Sequence, residues 1–453
     1  MKTLLVNLPW RVTRGRYGVR AGSRWPFTIE LEHGRKHYLP FPFFLAYAAS
    51  LLKKHNKDTY LFDAIAEGAD DDACIEKVNS YRPTLIVAET STPSFYSDMH
   101  ILQRIKEVFP SCKIAVCGPH TSVFPYEILS EYNFVEYVFV GEYEYTLLEF
   151  VDCLEKTGDF TSIRGLGYRE DRKVNINPYR GTTENLDTFP WPEREDVPIY
   201  NYNDGFCDLP VPNVQIWASR GCPFKCTFCL WPQVMYREHK YRKRDVTDVV
   251  DEMEYLVNKY NFKAVYFDDD VFNIDKKYVI SICKEIKKRN IHLPWACMAR
   301  GDLMDEELLE NMKEAGLYAI KYGIESADKD ILKFCNKNID LDKSRSIITY
   351  TKEIGVKVHL TFCVGFPQES KETLKTTVNF IKDTKPHSYQ LSFVTPFPGT
   401  ELYNYLKENG MLTSSNWSDY DGNCKCVVNV QKLGRDGLIE ARYALSNIYR
   451  SAE

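Results

Sequence analysis

Near its midpoint the chain reads Ser219-Arg220-Gly221-Cys222-Pro223-Phe224-Lys225-Cys226-Thr227-Phe228-Cys229. Three thiols thus fall in one short loop with C-x3-C-x2-C spacing. With 14 cysteines in 453 residues, chance produces this pattern roughly once in a hundred such chains. A structural zinc site recruits a fourth Cys or His, and His239 is the only local candidate. Three thiolates in one loop suit a cubane iron–sulfur cluster, three of whose irons they hold while the fourth stays open. An open iron permits chemistry, whereas full ligation favours simple electron transfer. Cys222, Cys226 and Cys229 are therefore the expected metal ligands and catalytic centre.

The elements around this loop are those of a partial barrel. Apolar runs at Val214–Ala218, Ala264–Asp268, Trp295–Ala299, Ala319–Ile324, Lys357–Phe362 and Tyr389–Val394 alternate with helical stretches. Six strand–helix units suit a partial (β/α)6 TIM-type barrel over residues 214–400, with function at the strand C-terminal ends. Those ends carry Phe267-Asp268-Asp269-Asp270, Arg300, Gly323-Ile324-Glu325-Ser326 and Val364-Gly365-Phe366-Pro367-Gln368-Glu369.

Residues 1–150 also alternate, with strands expected at Leu4–Val6, Thr59–Phe62, Leu85–Ala88, Lys113–Val116 and Tyr137–Val140. That pattern predicts a Rossmann-like doubly wound parallel sheet with helices on both faces. Ligands of such sheets sit at strand carboxyl ends, here Asp63, Ser91-Thr92, Gly118-Pro119-His120 and Gly141-Glu142. Residues 151–213 read as a Pro-rich connector with a β-hairpin at Gly165–Tyr168 and Lys173–Ile176. Residues 401–453 form a small C-terminal helical and lid region. The fold class is thus α/β.

The cysteine loop resembles the signature of the radical S-adenosylmethionine (SAM) superfamily, with Phe228 at its aromatic position. The resemblance implies a [4Fe-4S] cluster whose open iron binds the amine and carboxylate of SAM. Reductive cleavage of SAM then yields a 5′-deoxyadenosyl radical, which abstracts hydrogen from an unactivated carbon. It places the SAM amine near Asp268, Asp269 and Asp270, the ribose near Glu325 and Ser326, and the adenine near Gly365 and Glu369. Arg300 is placed to pair with the SAM carboxylate through its planar fork. A low-potential donor of the flavodoxin or ferredoxin type is the implied electron partner.

A doubly wound sheet ahead of such a barrel resembles the cobalamin-dependent subfamily. The resemblance implies that Asp63, Ser91, Thr92, Gly118, Pro119, His120, Gly141 and Glu142 border cobalamin. Many cobalamin domains carry D-x-H-x-x-G, whose histidine ligates cobalt. Here the stretch is Asp63-Ala64-Ile65-Ala66-Glu67-Gly68, and isoleucine cannot ligate a metal. The implied activity is a cobalamin-dependent radical SAM methyltransferase, a transferase moving a methyl group from SAM through methylcobalamin to a substrate carbon radical. The alternatives are cyclisation or rearrangement without methyl transfer, as in the anaerobic porphyrin cyclases, and a non-catalytic cobalamin- or redox-sensing cluster protein.

Composition bounds the partners. Hydrophobic residues at 44% and charged residues at 27% fit a globular chain, and a net charge of −5 gives no reason to expect nucleic acid. No apolar run reaches the roughly 18 residues of a membrane span, and the N-terminus lacks signal-peptide features, so a cytoplasmic enzyme with a small-molecule or peptide substrate is expected. The basic run His239–Arg244 reads as a solvated face, with an arginine contact to SAM as the alternative. The Arg20–Pro26 segment is expected either to contact substrate or cobalamin or to hold a domain interface. Phe206–Pro212, the loop after Gly399 and Ser414–Cys426 are the expected lid, with Trp417, Asp419 and Tyr420 fitting an aromatic or hydroxylated substrate. Cys424 and Cys426 read as free thiols.

Overall fold

A computed structural model describes residues 1–10, 15–20, 25–31, 36, 38–156, 158–170 and 173–446. Two sheets organise it. The first comprises β1 (Lys2–Asn7), β2 (Asp58–Asp63), β3 (Leu85–Glu89), β4 (Lys113–Cys117), β5 (Tyr137–Phe139), β6 (Leu166–Glu170) and β7 (Lys173–Ile176). Their spatial order is β7-β6-β5-β4-β3-β1-β2. The strands from β1 to β5 are parallel, and Leu4, Leu5, Val6, Ile86 and Val87 are fully buried because helices cover both faces. The hairpin expected in the connector, whose tip at 171–172 lies outside the described residues, extends this sheet. β6 pairs antiparallel with β5, placing Tyr168 opposite Tyr137.

The second sheet, all parallel and in chain order, comprises β8 (Asn213–Ile216), β9 (Ala264–Phe267), β10 (Trp295–Ala299), β11 (Leu317–Glu325), β12 (Lys357–Val364) and β13 (Ser388–Phe393). Local chemistry starts its helices. Asp245, Asp275, Asp305, Asp340 and Ser370 are N-caps whose side chains accept from backbone N–H groups of the first turn. Each such cap contributes about 1 kcal/mol.

The barrel stays open between β8 and β13, and the N-terminal region bridges that gap. Gln215 of β8 accepts from Phe41 N at 2.5 Å and donates to Leu39 O at 3.1 Å. At the other edge Thr28 donates from N (3.0 Å) and Oγ1 (2.5 Å) to Asp421. Thr28 belongs to an antiparallel strand pair, Arg16–Val19 with Phe27–Glu30, inside what the sequence presents as one long loop. No helix among the described residues is long and apolar enough to cross a membrane.

Candidate active site

The three cysteines open onto one cavity of about 1220 Å3 inside the barrel. Its wall also holds Phe228, Asp268, Asp270, Arg300 and Glu325, so eight of the residues expected to serve the cluster and SAM meet in one space. Pockets for a single drug-sized ligand span roughly 300–1,000 Å3, and this cavity exceeds that range, leaving room for a second group beside SAM.

The cysteine loop is held by backbone contacts. Asp270 accepts from Gly221 N at 2.8 Å and from Tyr236 OH at 3.0 Å. Asp269 accepts from Ala218 N at 3.2 Å and from Ser219 Oγ. Asp269 is fully buried and does not line the cavity, which makes it a brace for the loop. Gly221 has φ 90°, and a Cβ there would stand 2.0 Å from Lys240 O, so only glycine fits. Gln233 Nε2 donates to the carbonyls of Cys226, Thr227 and Cys229 at 2.9–3.1 Å, while its Oε1 accepts from Glu401 N at 2.8 Å.

The donor set fits a cluster. Burial pushes the Cys222 thiol up to about 12 and raises Cys226 and Cys229 as well. Lys337 and Arg300 oppose that rise at Cys226, and the same two cations would offset thiolate charge once iron removes the protons. Among the described residues no three His, Cys, Asp or Glu side chains converge on a single metal ion. A cubane asks for a different spacing, with each thiolate on its own iron. His239 Nδ1 lies 2.9 Å from Phe224 O.

Glu325 sits at a register shift between β11 and β12 with φ 67°, a left-handed conformation uncommon outside glycine. The bulge turns its carboxylate to the cavity, where Lys337 Nζ donates to it at 3.0 Å. Arg300 stacks 3.9 Å over the Phe224 ring and donates from Nε and Nη2 to Asp302 at 3.0 and 2.7 Å. Phe228 is wedged between Trp25 and Phe366, each 5.8 Å away. Ser326, Gly365 and Glu369 lie behind the wall. Glu369 accepts from Thr373 Oγ1 (2.6 Å) and Gly365 N (3.3 Å), and burial pushes its carboxyl up to about 7.

The eight strand-end residues assigned to cobalamin do not line this cavity. Asp63 caps the following helix by accepting from Ala66 N at 2.9 Å, and also accepts from Asn7 Nδ2 (2.9 Å) and Tyr202 OH (3.0 Å). Ser91 Oγ lies 2.8 Å from Ser94 Oγ, and Thr92 Oγ1 lies 3.2 Å from His120 Nδ1. The His120 ring sits among Phe95, Phe124 and Trp417, and burial lowers its pKa to about 3. Gly118, followed by the buried Pro119, faces Thr90 O, and Gly141 faces the Tyr179 ring. Neither leaves space for a Cβ. Glu142 accepts from Arg242 Nη1 and Nη2 at 2.8 and 2.7 Å. The described part of the N-terminal region lines the cavity with a largely apolar wall of Trp25, Pro26, Phe27, Ile29, Leu31 and Tyr38, with Arg16, Thr28 and Glu30 among them.

Two expectations are corrected. The run His239–Arg244 is not a solvated face: alternation over 242–244 turns Arg242 and Arg244 inward onto Glu142 and Glu252 and leaves Lys243 out, while Lys240, before the alternation begins, is also exposed. Trp417 does not lie over the cavity but packs 5.5 Å from both His120 and Phe124. Phe206, Leu209, Pro210, Val211, Gly422 and Asn423 from the expected lid do line it. Arg20 is buried against Asp98 at 3.0 Å, positions 21–24 lie outside the described residues, and Cys424 lies 2.6 Å from Arg16 Nη2. Sequence reasoning missed Gln233 and Lys337; nothing in their spacing marks them.

Residues 218–381 match the family model described as Radical SAM superfamily. An uncharacterized methyltransferase of Pyrococcus horikoshii is 30% identical over 84% of this chain and 81% of its own length. The anaerobic magnesium-protoporphyrin IX monomethyl ester cyclase of Rubrivivax gelatinosus is 28% identical over 81% of this chain and 66% of its own length. The radical SAM methyltransferase TsrM of Kitasatospora setae shares the fold, with TM-score 0.74 and 17% identity over 98% of this chain and 88% of that one. A second TsrM structure holds cobalamin and a [4Fe-4S] cluster. The three-cysteine loop on its barrel cavity and the extent of the Pyrococcus match agree: the chain belongs to the radical SAM superfamily.

Proposed function

We propose that this enzyme is a cobalamin-dependent radical SAM methyltransferase that places a methyl group on carbon of a small-molecule or peptide substrate, working in the cytoplasm with a low-potential electron donor. The observation that carries the reading is the shared cavity, where three cysteines, a largely apolar N-terminal wall and room for more than SAM occur together. The methyltransferase name of the Pyrococcus relative and the cobalamin-loaded TsrM of the same fold support it.

Bound there, the cofactors supply the electron, the hydrogen-abstracting radical and the transferable methyl group. The protein's part is placement and exclusion of water. Cys222, Cys226 and Cys229 would hold the cluster, Asp268 and Glu325 would offer carboxylates to the amine and ribose of SAM, and Arg300 would pair with its carboxylate. Glu369 braces the Gly365 turn beside Phe366. The wall from Trp25 to Leu31 with Tyr38 would border cobalamin. The strand-end side chains, most of them tied to other protein groups, would act in domain docking. Residues 1–150 would then serve cobalamin, 151–213 connect, 214–400 perform the radical chemistry and 401–453 close the site.

The likeness to the Rubrivivax cyclase favours a second reading, ring closure on the same scaffold. Anaerobically reconstituted enzyme, assayed with and without cobalamin, separates the two. Methyl transfer requires S-adenosylhomocysteine and 5′-deoxyadenosine to form together once cobalamin and substrate are present. Formation of 5′-deoxyadenosine alone, with substrate consumed, supports the cyclase reading. Any of Cys222→Ala, Cys226→Ala or Cys229→Ala is expected to abolish SAM cleavage.

A further inference from the structure

Deeper in the lumen lies a polar pair that none of this chemistry uses. Lys321 on β11 and His359 on β12 are register partners, and His359 is partnered in turn by Ser388 on β13. Both Lys321 and His359 line the cavity. Lys321 precedes Glu325 by four residues on one strand, which sets it about 13 Å below the rim at roughly 3.3 Å per residue.

His359 is 8% exposed, and its Nε2 finds no hydrogen-bond partner among the described residues. A buried polar nitrogen without a partner asks for an explanation. Its Nδ1 lies 2.8 Å from Ser388 Oγ, and that oxygen also lies 3.4 Å from Cys207 Sγ. Ser388 has one proton to give, and the imidazole nitrogen is both nearer and the better acceptor than sulfur. The ring proton therefore sits on Nε2, which acts as a donor. Burial, with Lys321 adding to it, lowers the pKa of His359 to about 3 and keeps the ring neutral.

Lys321 donates to Asp204 at 3.1 Å and lies 4.6 Å over the Phe206 ring. Asp204 already balances its charge, so an added anion would meet no uncompensated cation. The shielding of Nε2 means that whatever satisfies it comes from the contents of the lumen.

We propose that Lys321 and His359 form the substrate-orienting subsite, which takes an uncharged hydrogen-bond-accepting oxygen, a ketone or amide carbonyl, on a flat apolar body lying against Phe206 and Met298. The assignment rests on the radical SAM reading of the cavity, which puts the reacting carbon at the rim and this anchor at the floor.

The test is saturation-transfer NMR on the cluster-loaded full chain with benzamide, benzoate and toluene as probes. Benzamide is expected to bind about tenfold more tightly than either of the others. His359→Phe is expected to erase that preference and His359→Gln, which keeps a donor, to retain it. Benzoate binding as tightly as benzamide, or no advantage of benzamide over toluene, overturns the proposal on the unaltered chain without recourse to variants. A preference that survives His359→Phe overturns it too. SAM cleavage measured on the same samples separates the two readings. A missing probe preference with cleavage intact removes the subsite alone, whereas absent cleavage in the unaltered enzyme removes the active-site reading.

Discussion

Arg220 Nη1 donates to Glu144 Oε1 at 2.7 Å, joining the residue two before Cys222 to the start of the helix that follows β5 in the first sheet. Both side chains are almost wholly buried, and the Arg220 guanidinium also lies 4.6 Å over the Tyr47 ring. The cluster loop is thus anchored to the N-terminal domain as well as to its own barrel. Removing one partner of such a buried pair costs about 3–5 kcal/mol, since the other charge is left uncompensated. Arg220→Leu is expected to lower the melting temperature and the iron content per chain together. A variant that melts earlier yet keeps full iron would mean that the anchor serves the fold alone.

Gly221→Ala tests the turn itself. The added methyl meets the Lys240 carbonyl at 2.0 Å in a left-handed backbone, so the loop must shift and the cysteines with it. Reconstitution is expected to leave the visible absorbance of the cluster largely absent. Pro223→Ala, in the same loop, is expected to reconstitute.

Gln233 holds three carbonyls of the loop through one amide nitrogen. Gln233→Leu keeps the volume and loses those contacts, which share two amide protons and so amount to about two hydrogen bonds of about 1 kcal/mol each. The expected result is a cluster that still assembles but loses iron to a chelator several-fold faster, with SAM cleavage reduced in step.

Much of this arrangement is legible in the sequence, and where it is not the reason is physical. The cysteine loop, the carboxylates after β9 and the Gly323–Ser326 string are local patterns at strand ends, and periodicity places strand ends well. The Lys371–Thr384 helix appears where its spacing puts it, and the structure adds its Ser370 cap. Gln233, Lys337, Lys321 and His359 gain their roles from register and packing across elements, which no local spacing encodes. His120 illustrates the converse. Small and polar residues at the ends of parallel strands suit a cofactor cradle and a tightly packed domain interface equally, and the Phe95, Phe124 and Trp417 rings that enclose it come from packing that local spacing does not encode.

Glu89 gives a pH signature. Burial raises its carboxyl from 4.5 to about 7, with the Arg20 charge opposing the rise. The folded state therefore holds a proton that the unfolded chain has released, so this group's stabilisation is complete below pH 4.5 and is lost as pH rises to about 7. At about 1.4 kcal/mol per pKa unit the loss approaches roughly 3 kcal/mol. Glu89→Gln is expected to flatten the fall in melting temperature across that window. An unchanged slope would place the titration elsewhere.

The most direct test of methyl transfer uses SAM with a trideuterated methyl group. Enzyme carrying its cluster and cobalamin would be incubated anaerobically with reductant, labelled SAM and an extract of small metabolites, and the masses followed. The account predicts 5′-deoxyadenosine, S-adenosylhomocysteine and one metabolite heavier by a trideuteromethyl group in place of hydrogen. 5′-Deoxyadenosine with a converted metabolite that carries no label would contradict it and leave a radical SAM enzyme that does not methylate.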